Sequence, residues 1–212
     1  MPVPLVPLKT LAEAKGRLGP WLAPLERRLL AIAMFEDVVA ALRAVPTLER
    51  PVVVSPDREV WLRAEALGCR VVEEPRGGSG GLNAALAAAA ARSATDGLLV
   101  VAADLPLASA GGLEGVLEAG RRAPVVVVPS RDGAGTNVLA WGEPASFTPR
   151  FGPDSAARHL AVSGAVRVDE PGLAFDVDTV EDLRAVAGRL DPAGVTARRL
   201  RDLRLDDRLR TR

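Results

Sequence analysis

The sequence has one cysteine, one histidine, no tyrosine and two lysines. The lone Cys69 excludes an internal disulfide and any cysteine-built zinc site, and it fits a reducing, cytoplasmic setting. Aromatic residues make up 3% of the chain against 48% apolar residues, so the core has to be built from Val, Leu and Ala. No net charge remains, because 27 acidic residues balance 27 basic ones, which argues against a dedicated nucleic-acid binder. No apolar run approaches the roughly 20 residues of a membrane span. The opening MPVPLVPL has three prolines and no basic segment, so it does not read as a signal peptide. The 212 residues are enough for one domain with a real core.

What is present is an alternation of short Val/Leu runs with helical periodicity. Residues 3–8 read as a first strand, followed by a loop that carries both lysines, Lys9 and Lys15. Leu25, Leu29, Ile32, Phe35, Val39 and Leu42 mark one face of a helix. Further strands are expected at 51–55, 70–73, 98–104, 124–130, 136–141 and 165–168, with helices near 57–67, 82–94, 110–122, 154–163 and 179–189. This order, with strands apolar along their whole length, predicts an α/β domain over residues 1–190 with a mainly parallel sheet covered on both faces. Residues 191–212, with seven arginines and four aspartates, read as a solvated or partly helical tail. Ligands of such sheets bind at the carboxyl ends of the strands, so the residues just after each strand are the candidates for chemistry.

After the first strand come Lys9, Lys15 and Arg17, which suit a polyphosphate, lysine acting as a compact charge. After the 98–104 strand comes Asp104, whose carboxylate needs solvent, a partner or a metal. In FDVDT, Asp176 and Asp178 are two residues apart and point to one side if the segment is extended; like charges so placed call for a cation. Three carboxylates without cysteine favour a hard cation, Mg²⁺ first. The alternative for Asp178 is helix capping, shared with Thr179. The glycine run at 77–81 lets backbone N–H groups, among them those of Gly80 and Gly81, approach a ligand, and Asn83 offers a donor and an acceptor to a base edge. The same run contains a G-x-S-x-G pattern around Ser79, which with His159 would be a hydrolase triad. Thr136 in GAGTN, with Gly152 and Ser155 in FGPDSAARH, can form an anion cradle, or serve simply as turn and cap residues. His159 reads as a packed helix residue rather than a ligand.

Taken in order, LKTLAEAKGRL, GGLNAAL, ADLPL, GAGTN, FGPDSAARH and PGLAFDVDTVEDL resemble the guanylyltransferases of deazaflavin coenzyme F(420) biosynthesis, which act on phosphoenolpyruvate or 2-phospho-L-lactate. The resemblance runs from residue 3 to about 189. It implies a single-domain, three-layer α/β/α nucleotidyltransferase of the Rossmann-like GT-A type. It implies joining of GTP to a phosphorylated three-carbon acid with Mg²⁺ and release of pyrophosphate. It implies that Thr136, Gly152 and Ser155 bind the acid, that Asp104, Asp176 and Asp178 hold metal, and that the lysine loop and GGLNAAL lie along GTP. On this reading Lys15, Arg17 and Asp104 carry the catalysis. The arginine-rich, lysine-poor, alanine-rich composition suggests a GC-rich bacterium and so favours phosphoenolpyruvate over 2-phospholactate and 3-phosphoglycerate. Asp154 departs from the family pattern, where a glycine is expected. Three other readings compete: a molybdenum-cofactor or sugar-phosphate nucleotidyltransferase, a nucleotide-binding protein without catalysis, and the Ser79 hydrolase.

Overall fold

In the computed structural model, which describes residues 1–73, 81–93, 95–205 and 208, seven strands form one sheet. They are β1 (Val3–Pro7), β2 (Val52–Ser55), β3 (Arg70–Glu73), β4 (Leu98–Val101), β5 (Val125–Pro129), β6 (Thr136–Trp141) and β7 (Ala165–Arg167), in the order β3-β2-β1-β4-β6-β5-β7. Only β6 runs against its neighbours, pairing antiparallel with both β4 and β5. The VVVS and LLVV runs are buried end to end because helices cover both faces of the sheet.

On one face lie α1 (Pro24–Arg43), α2 (Arg58–Ala66) and α4 (Ala110–Gly120), which pack Phe35, Val38, Val60, Ala64, Leu113 and Val116 against Val6, Val53, Leu99 and Val126. On the other lie α3 (Gly81–Ala91) and α5 (Ser155–Leu160), with Ala85, Leu86, Ala89 and Ala156 against Leu5, Val54, Val100 and Leu139. This is the expected three-layer α/β/α arrangement.

The expected apolar face of α1 is incomplete. Leu25 is 61% exposed, whereas Leu30 and Met34 are fully buried on a second stripe. That stripe packs against α6 (Val180–Ala187) and α7 (Val195–Asp202) through Val180, Leu183, Val186, Ala197 and Leu200. Of the two expectations for the segment after 190, residues 191–205 follow the partly helical one and pack onto the domain. The α7 helix buries Thr196, Ala197 and Leu200, and its first N–H groups are capped by Asp37 of α1, which accepts from Val195 N at 2.7 Å and Thr196 N at 2.8 Å. The strong polar bias of this segment left a solvated tail open beside a helix, because the helix cap comes from 158 residues away. No helix among the described residues is long and apolar enough to cross a membrane.

Candidate functional site

The sheet order reverses direction at β1, whose neighbours are β2 on one side and β4 on the other. In sheets of this kind such a reversal marks a crevice at the carboxyl ends of the strands, here bordered by the loops leaving β1 and β4. The loop after β1 is pinned at both ends by fully buried leucines, Leu11 in the sheet-side core and Leu18 against Val177 and Leu183. Leu11 N also donates to Asp57 Oδ2 at 2.9 Å. Between these anchors Lys15 takes a left-handed backbone conformation, φ 53° and ψ 42°, and turns its side chain inward.

Lys15 reaches two carboxylates at once. Its Nζ donates to Asp104 Oδ2 at 2.6 Å and to Asp178 Oδ1 at 3.0 Å, and its side chain is only 7% exposed. Burial works against its charge, but attraction by Asp104 and Asp178 outweighs it and raises the lysine's pKa above the ordinary value. Arg17 stands further out, its Nη1 3.7 Å from Asp178 Oδ2, and 76% exposed. The two lysines thus have different places. Lys9 is exposed and makes no ion pair with the described residues.

The acidic segment is tied to the β4 loop by its backbone, since Val177 N donates to Asp104 O at 3.2 Å. Val177 is fully buried, which leaves Asp176 and Asp178 flanking it at the crevice. Helix capping falls to Thr179, whose Oγ1 accepts from Asp182 N at 3.2 Å while Asp182 Oδ2 accepts from Thr179 N at 2.9 Å. Asp178 is thereby free to pair with Lys15. Asp176 has no cation of its own among the described residues; Asn137 Nδ2 donates to its Oδ1 at 3.1 Å. Burial pushes the Asp176 carboxyl up, the Asn137 hydrogen bond opposes this, and the charges of Asp104 and Asp178 add to it. The three aspartates do converge electrostatically. Among the described residues, however, no three acidic, histidine or cysteine side chains form a ready-made metal cage.

Asn137 was not among the residues singled out from the sequence. A buried asparagine second in the TNVLAW strand, ahead of four apolar residues, is the signal that could have found it. Its placement comes from a β-bulge. The β5–β6 register passes from Val128↔Val138 to Pro129↔Thr136, so Asn137 is the extra residue. Adjacent residues are thereby aimed at different partners: Asn137 at Asp176 and Leu173 O, Thr136 at His159 on α5.

The proposed anion cradle is assembled around α5. Thr136 Oγ1 lies 2.9 Å from His159 Nδ1, and Ser155, one turn before His159 on the same helix face, is buried. Ala156 N donates to Ala134 O of the GAGTN loop at 3.1 Å and Ser155 N to Gly152 O at 3.2 Å. The first two N–H groups of α5 are therefore already used, so the expected contribution of free helix-end N–H groups is reduced. Gly152 has φ +124°, a conformation only glycine takes without strain. Asp154 sits at φ 52°, which explains why glycine suits this position, and its exposed side chain caps nothing.

Of the residues expected along the nucleotide, Gly80 lies outside the described residues, as does Ser79 of the hydrolase reading. Gly81 opens α3 at φ +51° with nothing within 4 Å of where a side chain would begin, so backbone approach there is unobstructed. Asn83 is held in place by the loop before α5. Its Nδ2 donates to Phe151 O at 3.0 Å and its Oδ1 accepts from Phe151 N at 2.8 Å. One N–H and one acceptor site of the amide are thus engaged with the loop before α5, and a second N–H and a second lone pair remain. His159 is fully engaged, with Nε2 accepting from Arg150 N at 2.9 Å, so it cannot serve a Ser79 triad as base. A cavity of about 260 Å³ lies at the opposite end of the strands, beside Pro2, Gly97 and Trp141, and contains none of these groups.

Comparison with known proteins agrees with this fold. Residues 3–206 match the family model described as "Guanylyl transferase CofC like". A phosphoenolpyruvate guanylyltransferase of Mycobacterium sp. (strain KMS) is 42% identical over 201 residues, covering 92% of this chain and 89% of the relative. One from Sphaerobacter thermophilus is 36% identical over 205 residues, covering 92% and 96%. A nucleotide-diphospho-sugar transferase structure from Desulfovibrio desulfuricans G20 superimposes with a TM-score of 0.77 at 16% identity, over 99% of this chain and 98% of the other. A Methanothermobacter nucleotidyl transferase superimposes with a TM-score of 0.69 at 17% identity, over 89% and 97%. The structural likenesses carry the nucleotidyltransferase fold, and the sequence match fixes the family: the chain belongs to the guanylyl transferase CofC-like family.

Proposed function

We propose that this protein transfers GMP from GTP to the phosphate of phosphoenolpyruvate, releasing pyrophosphate, as a step toward coenzyme F(420). The observation that carries the reading is the Lys15 ammonium held between Asp104 and Asp178 at the crevice where the sheet order reverses, in a chain whose relatives are named for this reaction. A phosphate oxygen of the acid attacks the α-phosphorus of GTP, a new P–O bond forms, and the bond to the β-phosphate breaks. That oxygen is already anionic near neutral pH, so no general base is required, in keeping with a single histidine whose ring nitrogens are both committed. Catalysis rests on alignment and charge neutralisation.

Each group has a part in that alignment. Lys15 stands where negative charge accumulates between the α-phosphate and the leaving pyrophosphate, and Arg17 and Lys9 line its outer edge. Thr136, Gly152 and Ser155 receive the acid, whose phosphate then faces the nucleotide across the end of β6. The donor set also suits Mg²⁺. Asp176 is a carboxylate without a cation among the described residues, and Mg²⁺ is ordinarily held by one or two carboxylates together with substrate phosphates rather than by a protein cage. Held by Asp176 and Asp104, with Asp178 shared with Lys15, the ion would supply Lewis-acid neutralisation of the phosphate oxygens.

The test is pyrophosphate release from GTP with MgCl₂, comparing phosphoenolpyruvate, 2-phospholactate, 3-phosphoglycerate and no acceptor. Release dependent on phosphoenolpyruvate is expected. GTP binding without release for any of the three acids would overturn the assignment.

A further inference from the structure

The chain's only histidine is fully buried, and the reaction as derived above gives it nothing to do. A buried imidazole in a helix of a Val/Leu/Ala core is an expensive way to fill space, so its two contacts bear examination. Nε2 faces the backbone N–H of Arg150 at 2.9 Å. A backbone amide can only donate, so Nε2 has to be the bare, accepting nitrogen. In a neutral imidazole the proton then sits on Nδ1, and Nδ1 lies 2.9 Å from Thr136 Oγ1. The direction of that second bond follows: Nδ1–H donates and the threonine oxygen accepts.

We propose that His159 is a positioning residue for the acid substrate, setting the polarity of the Thr136 hydroxyl so that its proton is presented to the bound anion. A hydroxyl has one proton and two acceptor sites. With an imidazole N–H filling one acceptor site, the threonine cannot spend its proton on the histidine and is left as a donor toward the cradle. The same ring holds Arg150, two residues before Gly152, so the loop and the hydroxyl are set by one side chain. Phe151 braces the ring edge-on, with centroids 4.9 Å apart, and is itself clamped through its backbone by Asn83. The ring also stays neutral. Burial lowers its pKa to about 4, and the cationic Arg158 and Arg150 add to the effect. An imidazolium would in any case have to point a second N–H at the Arg150 amide. The inference rests on the reading of Thr136 as an acid-binding residue, and the experiment separates the two.

With a single histidine, ¹⁵N-histidine labelling of the full chain reads the tautomer directly. The expected long-range ¹H–¹⁵N pattern is a protonated Nδ1 and a bare Nε2, at neutral pH and again at about pH 5.5. A protonated Nε2, or an imidazolium at the lower pH, overturns the proposal. Two variants then divide the ring's contacts. The amide oxygen of His159→Gln can take the place of Nε2 and keep the Arg150 bond, while losing the donor to Thr136. The amide N–H of His159→Asn can take the place of Nδ1 and keep that donor. His159→Gln is expected to raise KM for phosphoenolpyruvate roughly tenfold or more, the weight of one hydrogen bond to a charged group, with KM for GTP within about twofold. His159→Asn is expected to recover most of that loss. Equal losses in both variants, or a loss shared with GTP, would make the histidine a packing residue only. The expected tautomer together with a Thr136→Val protein whose KM for phosphoenolpyruvate is unchanged would instead refute the acid site, not the polarity of the pair.

Discussion

Replacing Lys15 by methionine separates its charge from its packing. The side chain keeps its apolar stem and loses only the terminal ammonium from its length, and the left-handed backbone at φ 53° remains equally unfavourable for both residues. What is lost is the cation between Asp104 and Asp178, at 2.6 and 3.0 Å, with Asp176 close enough to feel both charges. Removing one partner of a fully buried ion pair costs about 3–5 kcal/mol. Here the lysine is 7% exposed but the aspartates are 29% and 44% exposed, so water recovers part of the loss. About 2 kcal/mol is a fair expectation after that discount. For a chain of this size it corresponds to a fall in Tm of roughly 4–8 °C. The lysine's pKa is raised, so its contribution is fully present below pH 10.5 and is lost only as the pH climbs past the raised value; thermal melts near neutral pH see all of it. Adding MgCl₂ should then raise the Tm of Lys15→Met more than that of the wild type, because three carboxylates have been left to the ion. An unchanged Tm, or an identical response to MgCl₂ in both proteins, would refute the picture of one acidic cluster stabilised by whichever cation is present.

The other predictions concern individual groups of the same site. Asp176→Asn is expected to raise Tm in EDTA and abolish turnover: the carboxyl's raised pKa means that its ionised form destabilises the folded state at neutral pH, and the amide removes that charge. Thermal melts in EDTA beside a pyrophosphate assay check both halves. The His159 ring, lowered from 6.5 to about 4, takes its proton more readily in the unfolded chain, so folding stability should fall by about 3 kcal/mol as the pH drops from 6.5 toward 4. Urea titrations at a series of pH values should show this slope in the wild type and its loss in His159→Gln. Asp154→Gly should stabilise the fold by about 1 kcal/mol, the typical cost of a non-glycine residue in the left-handed region, measurable as a shifted urea midpoint.

Much of the architecture was legible because it is written locally. The VVVS and LLVV runs read as buried parallel strands, Asp57 and Thr179 stand as side-chain caps where α2 and α6 begin, and the D-V-D alternation turned its valine inward. Lys15 and Asp104, 89 residues apart, were both singled out from their places after strands, and the fold brings them into contact. What stayed hidden depends on partners far away in the chain. The α7 helix carries no cap of its own and borrows Asp37. The role of Asn137 depends on a bulge set by the β5–β6 register, which no composition reveals. Asn83 was singled out as a base reader, but its pairing with the Phe151 backbone, 68 residues away, was not. The direction of the Thr136–His159 bond becomes readable only once Arg150 N–H is seen at the opposite ring nitrogen.

The most direct test of the central claim is the identity of the product. In a mixture of the protein, GTP, phosphoenolpyruvate and MgCl₂ followed by ³¹P NMR, the account predicts inorganic pyrophosphate together with a pair of mutually coupled phosphorus signals from a new phosphoanhydride joining GMP to the phosphoenol group. Pyrophosphate accompanied only by free GMP, or a new anhydride with an acceptor other than a phosphorylated acid, would contradict it.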